Sequence, residues 1–386
     1  MRVVVIGAGI GGLAATRALI ADGHEVACYE RADALRTSGS ALTLWSNGTA
    51  VLHALGVPYD DLGAPIDYLA MLRGTDGRML MDIDCARAAV RYGYPHRSTP
   101  RRDLIRRLAD GLPEGTLHFG RRAVAIEQDP GSAEVRFADG SAVAADLVIG
   151  ADGSRSAVRD VVYGADPTRP AGWATWQGLT PVDVETTRSR RGLMIVGREG
   201  FCGLMPAGNG LLQWWFDRPW NADDPQPPSV TAMLKERFGH WASPVAETLA
   251  AADDAQIEFF AHRRQKVGRG WSRGRVVLLG DAAHTMPPTV AQGANQALED
   301  GWALARGLRV AAGDLPAGLA EYERSRLKGA RLTQLVAGSE VTDKYRPGAG
   351  LLTPNALISW FYTRWLKMIS TILNEQRQPV APAVLR

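Results

Sequence analysis

A glycine-rich turn follows the first apolar segment of the chain and constrains the fold more than any other feature. Residues 2–6 (RVVVI) are predicted to form a strand, residues 7–12 (GAGIGG) a turn, and residues 13–21 a helix. Residues 26–30 (VACYE) are predicted to form a second strand, which ends at the acidic Glu30. A strand, a glycine turn, a helix, a second strand and a distal acid together indicate a βαβ unit that binds a dinucleotide.

The glycines of this turn stand where such a unit needs them. Gly7 permits a tight turn, Gly9 lets the backbone approach a pyrophosphate, and Gly12 lets the helix pack closely on the strand. The start of the helix offers free N–H groups and the positive end of its dipole to phosphates. Glu30 can accept hydrogen bonds from ribose hydroxyls. The cofactor-binding residues predicted in this unit are Gly7, Gly9, Ile10, Gly11, Gly12, Glu30 and Arg31.

Composition narrows the class of protein. The chain has 386 residues, of which 46% are hydrophobic, so we expect one large α/β domain with a smaller partner. The net charge of +3 gives no strong attraction to nucleic acid. The three cysteines have no paired spacing, which disfavours disulfides and a zinc site and predicts no bound metal.

The sequence also bears on where the protein resides. No run of 18 or more uninterrupted apolar residues occurs, and the first apolar segment leads into a folded pattern instead of a signal-peptide cleavage site. We therefore expect no membrane span and a cytoplasmic protein, either a monomer or a homodimer.

The middle of the chain has a different pattern. Residues 169–264 contain short alternating segments separated by turn residues, which indicate a mostly antiparallel sheet with one covered face. The predicted nucleotide-binding domain is therefore discontinuous and comprises residues 1–75, 98–168 and 265–345. The predicted substrate domain comprises residues 76–97 and 169–264, and a C-terminal helix lies within residues 346–386.

One predicted helix is rich in aromatic residues. Trp360, Phe361, Trp365 and Met368 recur at helical spacing, which predicts an amphipathic helix that packs on the body of the protein. A lid over a pocket and a dimer contact are the alternatives.

Two further motifs follow the first unit. Residues 150–159 (GADGSRSAVR) form an acidic, glycine-containing turn after a buried strand, and residues 275–288 (RVVLLGDAAHTMPP) repeat that arrangement. Residues 275–288, the third motif of the chain, lack a GxGxxG turn and a distal acid. They are therefore better interpreted as a second contact region for one long nucleotide than as a second nucleotide site. Asp281 could alternatively cap the helix that follows it. We do not expect His284 to act as a catalytic base, because it follows an acidic turn in a run of small residues.

The three motifs, in this order, resemble those of the class A flavoprotein monooxygenases, the aromatic hydroxylases with the p-hydroxybenzoate hydroxylase fold. The segments SALTLWSNG, GWATWQGL and LMPAGNGLLQWWFD most resemble the branch of FAD-dependent urate hydroxylases and zeaxanthin epoxidases. The resemblance implies an α/β fold with a Rossmann-like FAD-binding domain, an antiparallel-sheet substrate domain and a C-terminal helix.

The resemblance also implies further contacts with FAD. Glu30 would bind the adenosine ribose, Arg101 the pyrophosphate, and Asp281 the hydroxyls between ribityl chain and pyrophosphate. Asp152 is associated with both FAD and the nicotinamide cofactor. The added cofactor-binding residues are Arg101, Asp152, Gly153, Arg155, Gly280, Asp281, Pro288, Gln292, Gly293, Ala294 and Asn295. The chain departs from the family at Ala291, where glycine is common, and a methyl group there could crowd the flavin ring.

The implied chemistry belongs to the cofactor. NADH or NADPH would visit transiently and reduce FAD, O₂ would add at the flavin 4a carbon, and the hydroperoxide would deliver one oxygen atom to an electron-rich carbon. The resemblance therefore implies no catalytic side chain and no metal. The main alternative is a flavin-dependent reductase of the geranylgeranyl reductase type. A flavin-dependent halogenase and a non-catalytic FAD-binding protein fit less well.

The substrate is expected at the junction between the flavin ring and the sheet. Strand alternation predicts that six side chains share one face, with Leu44 and Pro288 near the ring, although the pattern leaves open which face points to the flavin. These six are Thr175, Gln177, Phe201, Met205, Gln213 and Trp215. Urate-type members use a cationic and a phenolic contact around positions 201 and 213. Phe201 and Gln213 therefore favour a largely apolar aromatic or polycyclic substrate over urate.

Overall fold

The computed structural model describes residues 1–36, 39–221, 223–338 and 354–375. Within these ranges the strands are β1 (Arg2–Ile6), β2 (Glu25–Tyr29), β3 (Ala41–Leu44), β4 (Ala64–Pro65), β5 (Tyr68–Arg73), β6 (Met79–Asp84), β7 (Arg97–Pro100), β8 (Leu117–His118), β9 (Ala123–Gln128), β10 (Ala133–Phe137), β11 (Ala142–Ala145), β12 (Leu147–Gly150), β13 (Arg169–Pro181), β14 (Arg191–Gly197), β15 (Gly200–Pro206), β16 (Leu211–Pro219), β17 (Glu258–Arg264), β18 (Ser272–Arg273) and β19 (Val276–Leu278).

The helices of the same ranges are α1 (Ile10–Ala21), α2 (Ser46–Ala54), α3 (Ala86–Tyr92), α4 (Arg101–Ala109), α5 (Val158–Tyr163), α6 (Glu185–Arg188), α7 (Val230–Phe238), α8 (Val245–Ala251), α9 (Asp281–His284), α10 (Gly293–Val310), α11 (Leu315–Ala337), α12 (Asn355–Ile369) and α13 (Ile372–Glu375). A 3₁₀ turn covers Asp254–Gln256.

The nucleotide-binding part is built on a six-stranded sheet. Its order is β18-β19-β12-β1-β2-β8, and all neighbours are parallel except β18 and β19. Residues 3–6 of β1 are buried, as expected for a central strand covered on both faces. The motif-bearing turns after β1, β12 and β19 therefore lie side by side at the carboxyl edge of the sheet, where open α/β sheets bind ligands.

The second large sheet has seven strands in the order β17-β13-β16-β15-β14-β5-β6. Its neighbours are antiparallel except β14 and β5, which run parallel. The prediction assigned β5 to the nucleotide-binding part, because its boundary lay after residue 75. The structure instead pairs Tyr68–Arg73 with Arg191–Val196, a partner more than 100 residues away that no local pattern indicates.

The two faces of this sheet have different neighbours. Trp176, Trp214 and Phe216 pack on one face against α7 and α8. On the other face, the Gln213 side-chain amide donates to the carbonyl of Ala41 in the nucleotide-binding part at 2.7 Å. The second face therefore points toward the cofactor-binding motifs.

Helix α12 packs in an orientation that differs from the prediction. Trp360, Phe361 and Met368 are about half exposed, and the buried residues of α12 are Ser359, Thr363, Leu366 and Ile369. The error arises because large apolar residues occupy both sides of this helix, so their spacing does not select the packed face. The small polar residues fit there because their hydroxyls bond to α12's own carbonyls.

Among the described helices, none is both long and apolar enough to cross a membrane.

A fully buried ionic network joins the helices beneath the cofactor-binding turns. The Arg326 guanidinium of α11 donates to Glu299 at 2.9 Å and to Asp300 at 2.7 Å, and all three side chains are completely buried. Glu299 also accepts from Asn47 of α2 and from the backbone N–H of Thr371. Three helices and the C-terminal segment are therefore tied to one pair of acids.

Replacing Arg326 tests how strongly the fold depends on this network. In Arg326→Met, Glu299 and Asp300 remain buried without their cation, so we expect the free energy of unfolding to fall by about 3–5 kcal/mol. Arg324→Met is the matched control on the same helix, because Arg324 is 75% exposed and should contribute about 0–1 kcal/mol. Urea unfolding followed by tryptophan fluorescence measures both, and equal midpoints would contradict the role of the network.

Candidate cofactor and substrate site

The first glycine turn has the geometry that its sequence predicts. Gly7 has a φ of +108°, and a Cβ there would collide with the backbone of Ala151. A Cβ on Gly12 would overlap the carbonyl of Gly7, so helix α1 lies directly on the turn. Gly9 differs from both, since an added Cβ would meet no atom within 4 Å. The open space in front of Gly9 lies at the start of α1, where backbone N–H groups lack helical partners.

Glu30 closes the far side of this turn. Its carboxylate accepts hydrogen bonds from the backbone N–H of Ala8 at 2.9 Å and of Ala32 at 3.0 Å. These bonds hold the acid at the mouth of the turn and leave lone pairs for hydroxyl donors. Ile10 is buried and Arg31 is exposed.

Arg101 begins helix α4 and has an unsatisfied buried donor. Its Nε is buried without a hydrogen-bond partner among the described residues. Burial lowers the pKa of Arg101, and nearby Arg36 adds to this effect, whereas Asp281 and Glu258 oppose it. A guanidinium in this position fits an anionic group of a ligand.

The Asp152 turn serves a local structural purpose. The Asp152 carboxylate accepts from the hydroxyl of Ser156 at 2.5 Å and from the backbone N–H groups of Ala157 and Val158. It thus orders the start of α5, and its contact with a cofactor stays a prediction. Gly153 has a φ of +83°, and Arg155 is exposed.

Arg159 connects the second motif with the third, a role that sequence reasoning missed. Its buried guanidinium donates to the carbonyls of Ser154 and Gly153 in one turn and of Asp281 and Ala282 in the other, at 2.7–3.2 Å. One side chain therefore fixes the distance between the two turns. The signal in the sequence was its place at the end of the GADGSRSAVR segment, although nothing local identifies its partners.

The third motif presents a free carboxylate. Gly280 has a φ of +58°, and its N–H donates to Asp300 at 2.8 Å. Asp281 does not cap α9, and its carboxylate has no hydrogen bond to any described residue. Asp281 is exposed at the protein surface, although desolvation by the surrounding protein raises its pKa, and the charges of His284, Arg101 and Arg159 oppose that shift.

His284 helps to hold the structure around the site. Its Nε2 lies 2.6 Å from the Asp300 carboxylate, and the imidazole is buried. Burial pushes the pKa of Asp300 upward, but the charges of His284 and Arg326 outweigh it and hold this pKa below its usual value. The geometry therefore agrees with a structural role for His284.

Helix α10 offers a second free N-terminus. Its first intrahelical bond runs from the N–H of Gln296 to the carbonyl of Gln292, so the N–H groups of residues 293–295 precede that bond. An added Cβ on Gly293 would meet no atom within 4 Å. The Asn295 side chain is occupied, because it bonds to the backbone of residues 43, 45 and 291. Only the backbone N–H of Asn295 is therefore left for a cofactor.

Ala291 adopts a conformation that favours glycine. Its φ is +48°, and its N–H donates to the carbonyl of Pro288 at 2.7 Å. A left-handed conformation costs an L-residue about 1–2 kcal/mol. The backbone conformation, which the sequence does not show, thus gives a reason why glycine suits this position. Pro288 itself is exposed.

Two glycines let large side chains lie flat on the side of the seven-stranded sheet that carries Gln213. An added Cβ on Gly203 would overlap the Trp215 indole, and one on Gly192 would overlap the thioether of Met205. The ring centroids of Trp215 and Phe201 are 6.2 Å apart. The predicted parity therefore agrees with the structure, since all six predicted strand residues lie on this face. Their contact with a substrate stays a prediction.

The strand before α2 brings Trp45 toward the same region. Trp45 Nε1 donates to the carbonyl of Val290 at 3.3 Å, and its ring lies 5.8 Å from that of Tyr362. Leu44, which was predicted to line the substrate site, is completely buried under α2. Trp45, one residue further on, is also buried, with 3% of its surface exposed.

The first and third motifs meet at one residue of α10. A Cβ on Gly11 or on Gly280 would lie 3.2 Å from the Cβ of Ala297. Two helix N-termini, the unpartnered Nε of Arg101 and the free carboxylate of Asp281 therefore lie near one another. Their chemistry fits the pyrophosphate and the hydroxylated linker of a single extended dinucleotide, so the fold and the site define a dinucleotide-binding protein.

Comparisons with known proteins agree with this class. The FAD binding domain family model matches residues 1–336. A FAD-dependent urate hydroxylase of Klebsiella pneumoniae is 34% identical over 333 residues, which cover 84% of this chain and 86% of the relative. An aurachin C monooxygenase/isomerase of Stigmatella aurantiaca is 32% identical over 374 residues, covering 96% of this chain and 95% of the relative. The crystal structure of Klebsiella pneumoniae HpxO with FAD and uric acid is 31% identical, covers 97% of each chain and has a TM-score of 0.84.

The chain belongs to the FAD binding domain family of flavoprotein hydroxylases. It binds FAD and is a FAD-dependent monooxygenase, an oxidoreductase. These relatives are hydroxylases and monooxygenases, which favours that function over the reductase alternative.

Gly9→Val tests the cofactor site at the first turn. Gly9 has a φ of −79°, and the space around it is open, so the apoprotein should fold normally. The isopropyl group would fill the space in front of the N–H groups of α1, and we expect at least about tenfold weaker binding of FAD, or ~1.4 kcal/mol. Flavin fluorescence titration of the apoprotein measures the dissociation constant.

The matched control is Gly268→Val, where an added Cβ also meets no atom within 4 Å. Gly12→Ala should instead destabilise the apoprotein itself. Wild-type affinity for FAD in Gly9→Val would contradict the assignment.

Proposed function

We propose that this monooxygenase uses NADH or NADPH and O₂ to hydroxylate, or epoxidise, an aromatic or polycyclic, largely apolar small molecule between the flavin ring and the seven-stranded sheet. The observation that carries the proposal is the apolar surface on the flavin-facing side of the sheet, where the large side chains of Trp215 and Met205 lie flat over glycines. Such a surface suits a planar ring by area and by shape.

The apolar surface extends beyond Trp215. Across the strands, Trp215 is followed in register by Gly203, Met194, Met71 and Met81. Met81 then lines a groove of about 430 Å³ between β6 and α12, whose other lining residues are Ile83, Ile358, Trp360, Phe361, Tyr362, Arg364, Trp365 and Met368. A continuous apolar surface of this length supports a polycyclic or substituted aromatic substrate.

Uric acid fits this surface poorly. It is a small polar anion, and its buried polar groups would need paired donors. Gln213 cannot readily supply them, because its amide already donates to Ala41 and its carbonyl oxygen accepts from Ser98. Phe201 offers no charge. The similarity to the relative that binds uric acid therefore supports the type of reaction proposed for this protein but does not support uric acid as its substrate.

The protein's own part in the reaction is to bind, orient and shield. FAD, when bound, supplies the redox and oxygen-transfer chemistry. Gly9 and Arg101 would hold its pyrophosphate, and Asp281 would accept from the hydroxyls of its linker. The start of α10 would face the pyrimidine edge of the ring, where N–H groups and the helix dipole stabilise negative charge.

We also propose a cytoplasmic location and a monomer or homodimer. The three cysteines are free and buried, which supports a reducing compartment.

A substrate panel tests the proposed function. Aromatic and polycyclic compounds are screened for accelerated NAD(P)H consumption, with product masses determined. We expect at least one apolar aromatic compound to accelerate consumption and to gain one oxygen atom, whereas uric acid is not turned over. Conversion of uric acid would overturn the proposed substrate class. NAD(P)H consumption without any oxygenated product across the panel would contradict the proposed hydroxylation.

A further inference from the structure

A buried carboxyl group lies beside the apolar surface. Asp217 of β16 is only 5% exposed and has Thr175 of β13 and Phe201 of β15 as its register partners. It therefore shares the flavin-facing side of the sheet with Trp215, two residues earlier. An acid in this setting is costly to bury and needs an explanation.

Asp217 is the end of a hydrogen-bonded chain of three side chains. The Thr175 hydroxyl donates to Asp217 Oδ1, and the same hydroxyl oxygen lies 2.7 Å from Nε2 of His262. His262, on β17, is half-buried and packs on Trp173 with ring centroids 4.3 Å apart. Asp217 Oδ2, the other carboxyl oxygen, has no hydrogen bond to any described residue.

The groups around Asp217 offer it no compensating charge. The elements packed beside it present Thr175, Phe201 and, one strand further, His262, while the Cys202 thiol lies on the opposite face. Burial raises the pKa of Asp217 to about 7, and the bond from Thr175 opposes that shift. Burial also lowers the pKa of His262 to about 4, so the imidazole is neutral at pH 7.

The nearest arginine along the chain does not reach this carboxyl. Arg218 alternates to the other face of β16, where its guanidinium lies 5.6 Å from the ring centroid of Trp176. Asp217 therefore changes its charge close to neutral pH beside an apolar surface.

We propose that Asp217 is the catalytic base of the substrate site and that Thr175 and His262 are its positioning residues. This inference rests on the proposed function. Asp217 Oδ2 takes the proton from a ring O–H or N–H group of the substrate, the bond to hydrogen breaks, and its electron pair stays on the substrate. The proton returns to the product or to water when the product leaves.

The proposal narrows the substrate class. The substrate is an aromatic compound that carries a phenolic hydroxyl or a ring-bound N–H group. Removal of its proton moves electron density into the ring, so an adjacent carbon reacts more readily with an electrophilic oxygen atom. Thr175 holds Oδ1 so that Oδ2 faces the substrate, and His262 holds the hydroxyl of Thr175 in that direction.

The first test needs no substrate. Infrared spectra of the FAD-loaded wild-type enzyme between pH 5 and 9 should contain a protonated carboxyl band that disappears with a midpoint near pH 7. Asp217→Asn should lack this band, and Asp183→Asn, an exposed acid on the loop after β13, should keep it. Identical titrations of wild type and Asp217→Asn would overturn the proposal.

The second test uses turnover of phenols and ring N–H compounds from the substrate panel. In the wild type, kcat should rise with pH through a midpoint near 7, because only the ionised carboxylate accepts a proton. Asp217→Asn should lose about 10²-fold in kcat at high pH, together with this dependence. Thr175→Val should shift the midpoint upward, because the bond that lowers the pKa is lost, and Thr175→Ser should restore it.

The outcomes separate a catalytic from a merely structural Asp217. Asparagine can still accept the hydrogen bond from Thr175, so a structural acid would leave kcat and its pH profile unchanged in Asp217→Asn, which would overturn the proposal. Failure of the proposed function would give a different result, because the wild-type enzyme itself would then insert no oxygen into any compound of the panel.

Discussion

The buried ion pair between Arg326 and the two acids of α10 is the interaction on which the cofactor cleft depends. Asp300 accepts from Arg326, from His284 and from the N–H of Gly280, so one carboxylate fixes both the helix and the turn that precedes Asp281. Burying this many charges is stabilising only when all are paired. The turn therefore stays in place as long as the network is complete, and the carboxylate of Asp281 keeps no hydrogen-bond partner among the described residues.

Free backbone N–H groups at two separate places explain why the chain needs two glycine-rich turns for one nucleotide. The turn at Gly9 and the start of α10 each leave backbone N–H groups free, and Ala297 packs against both motifs. Arg159 fixes the distance between the second and third motifs by bonding to the backbone of each. A ligand that is anionic at its centre would be bound along its length by these groups, and under the proposed function the apolar face of the large sheet would cover its reactive end.

Local rules predicted the parts of this arrangement that depend on neighbouring residues. The conformations of Gly7 and Gly12 and the shared face of Phe201 and Trp215 follow from turn chemistry and strand alternation. Parts that depend on distant partners were missed, because nothing near Arg159 or Arg326 indicates what they contact. The assignment of β5 and the packed face of α12 were wrong for related reasons, namely a remote parallel partner and large apolar residues on both sides of the helix. Alternation predicted the face of Thr175, but Asp217 was not predicted, because its bond with Thr175 and the effect of burial on its pKa required the fold.

The central claim is that a single FAD spans the first and third motifs, and a crystal structure of the FAD-loaded protein tests it most directly. The account predicts one FAD per chain, with its pyrophosphate at Gly9 and Arg101, its linker hydroxyls at Asp281 and its isoalloxazine ring between the start of α10 and the face that carries Phe201 and Trp215. A second nucleotide at the Asp281 turn, or a flavin ring on the side of the sheet that faces α7 and α8, would contradict it.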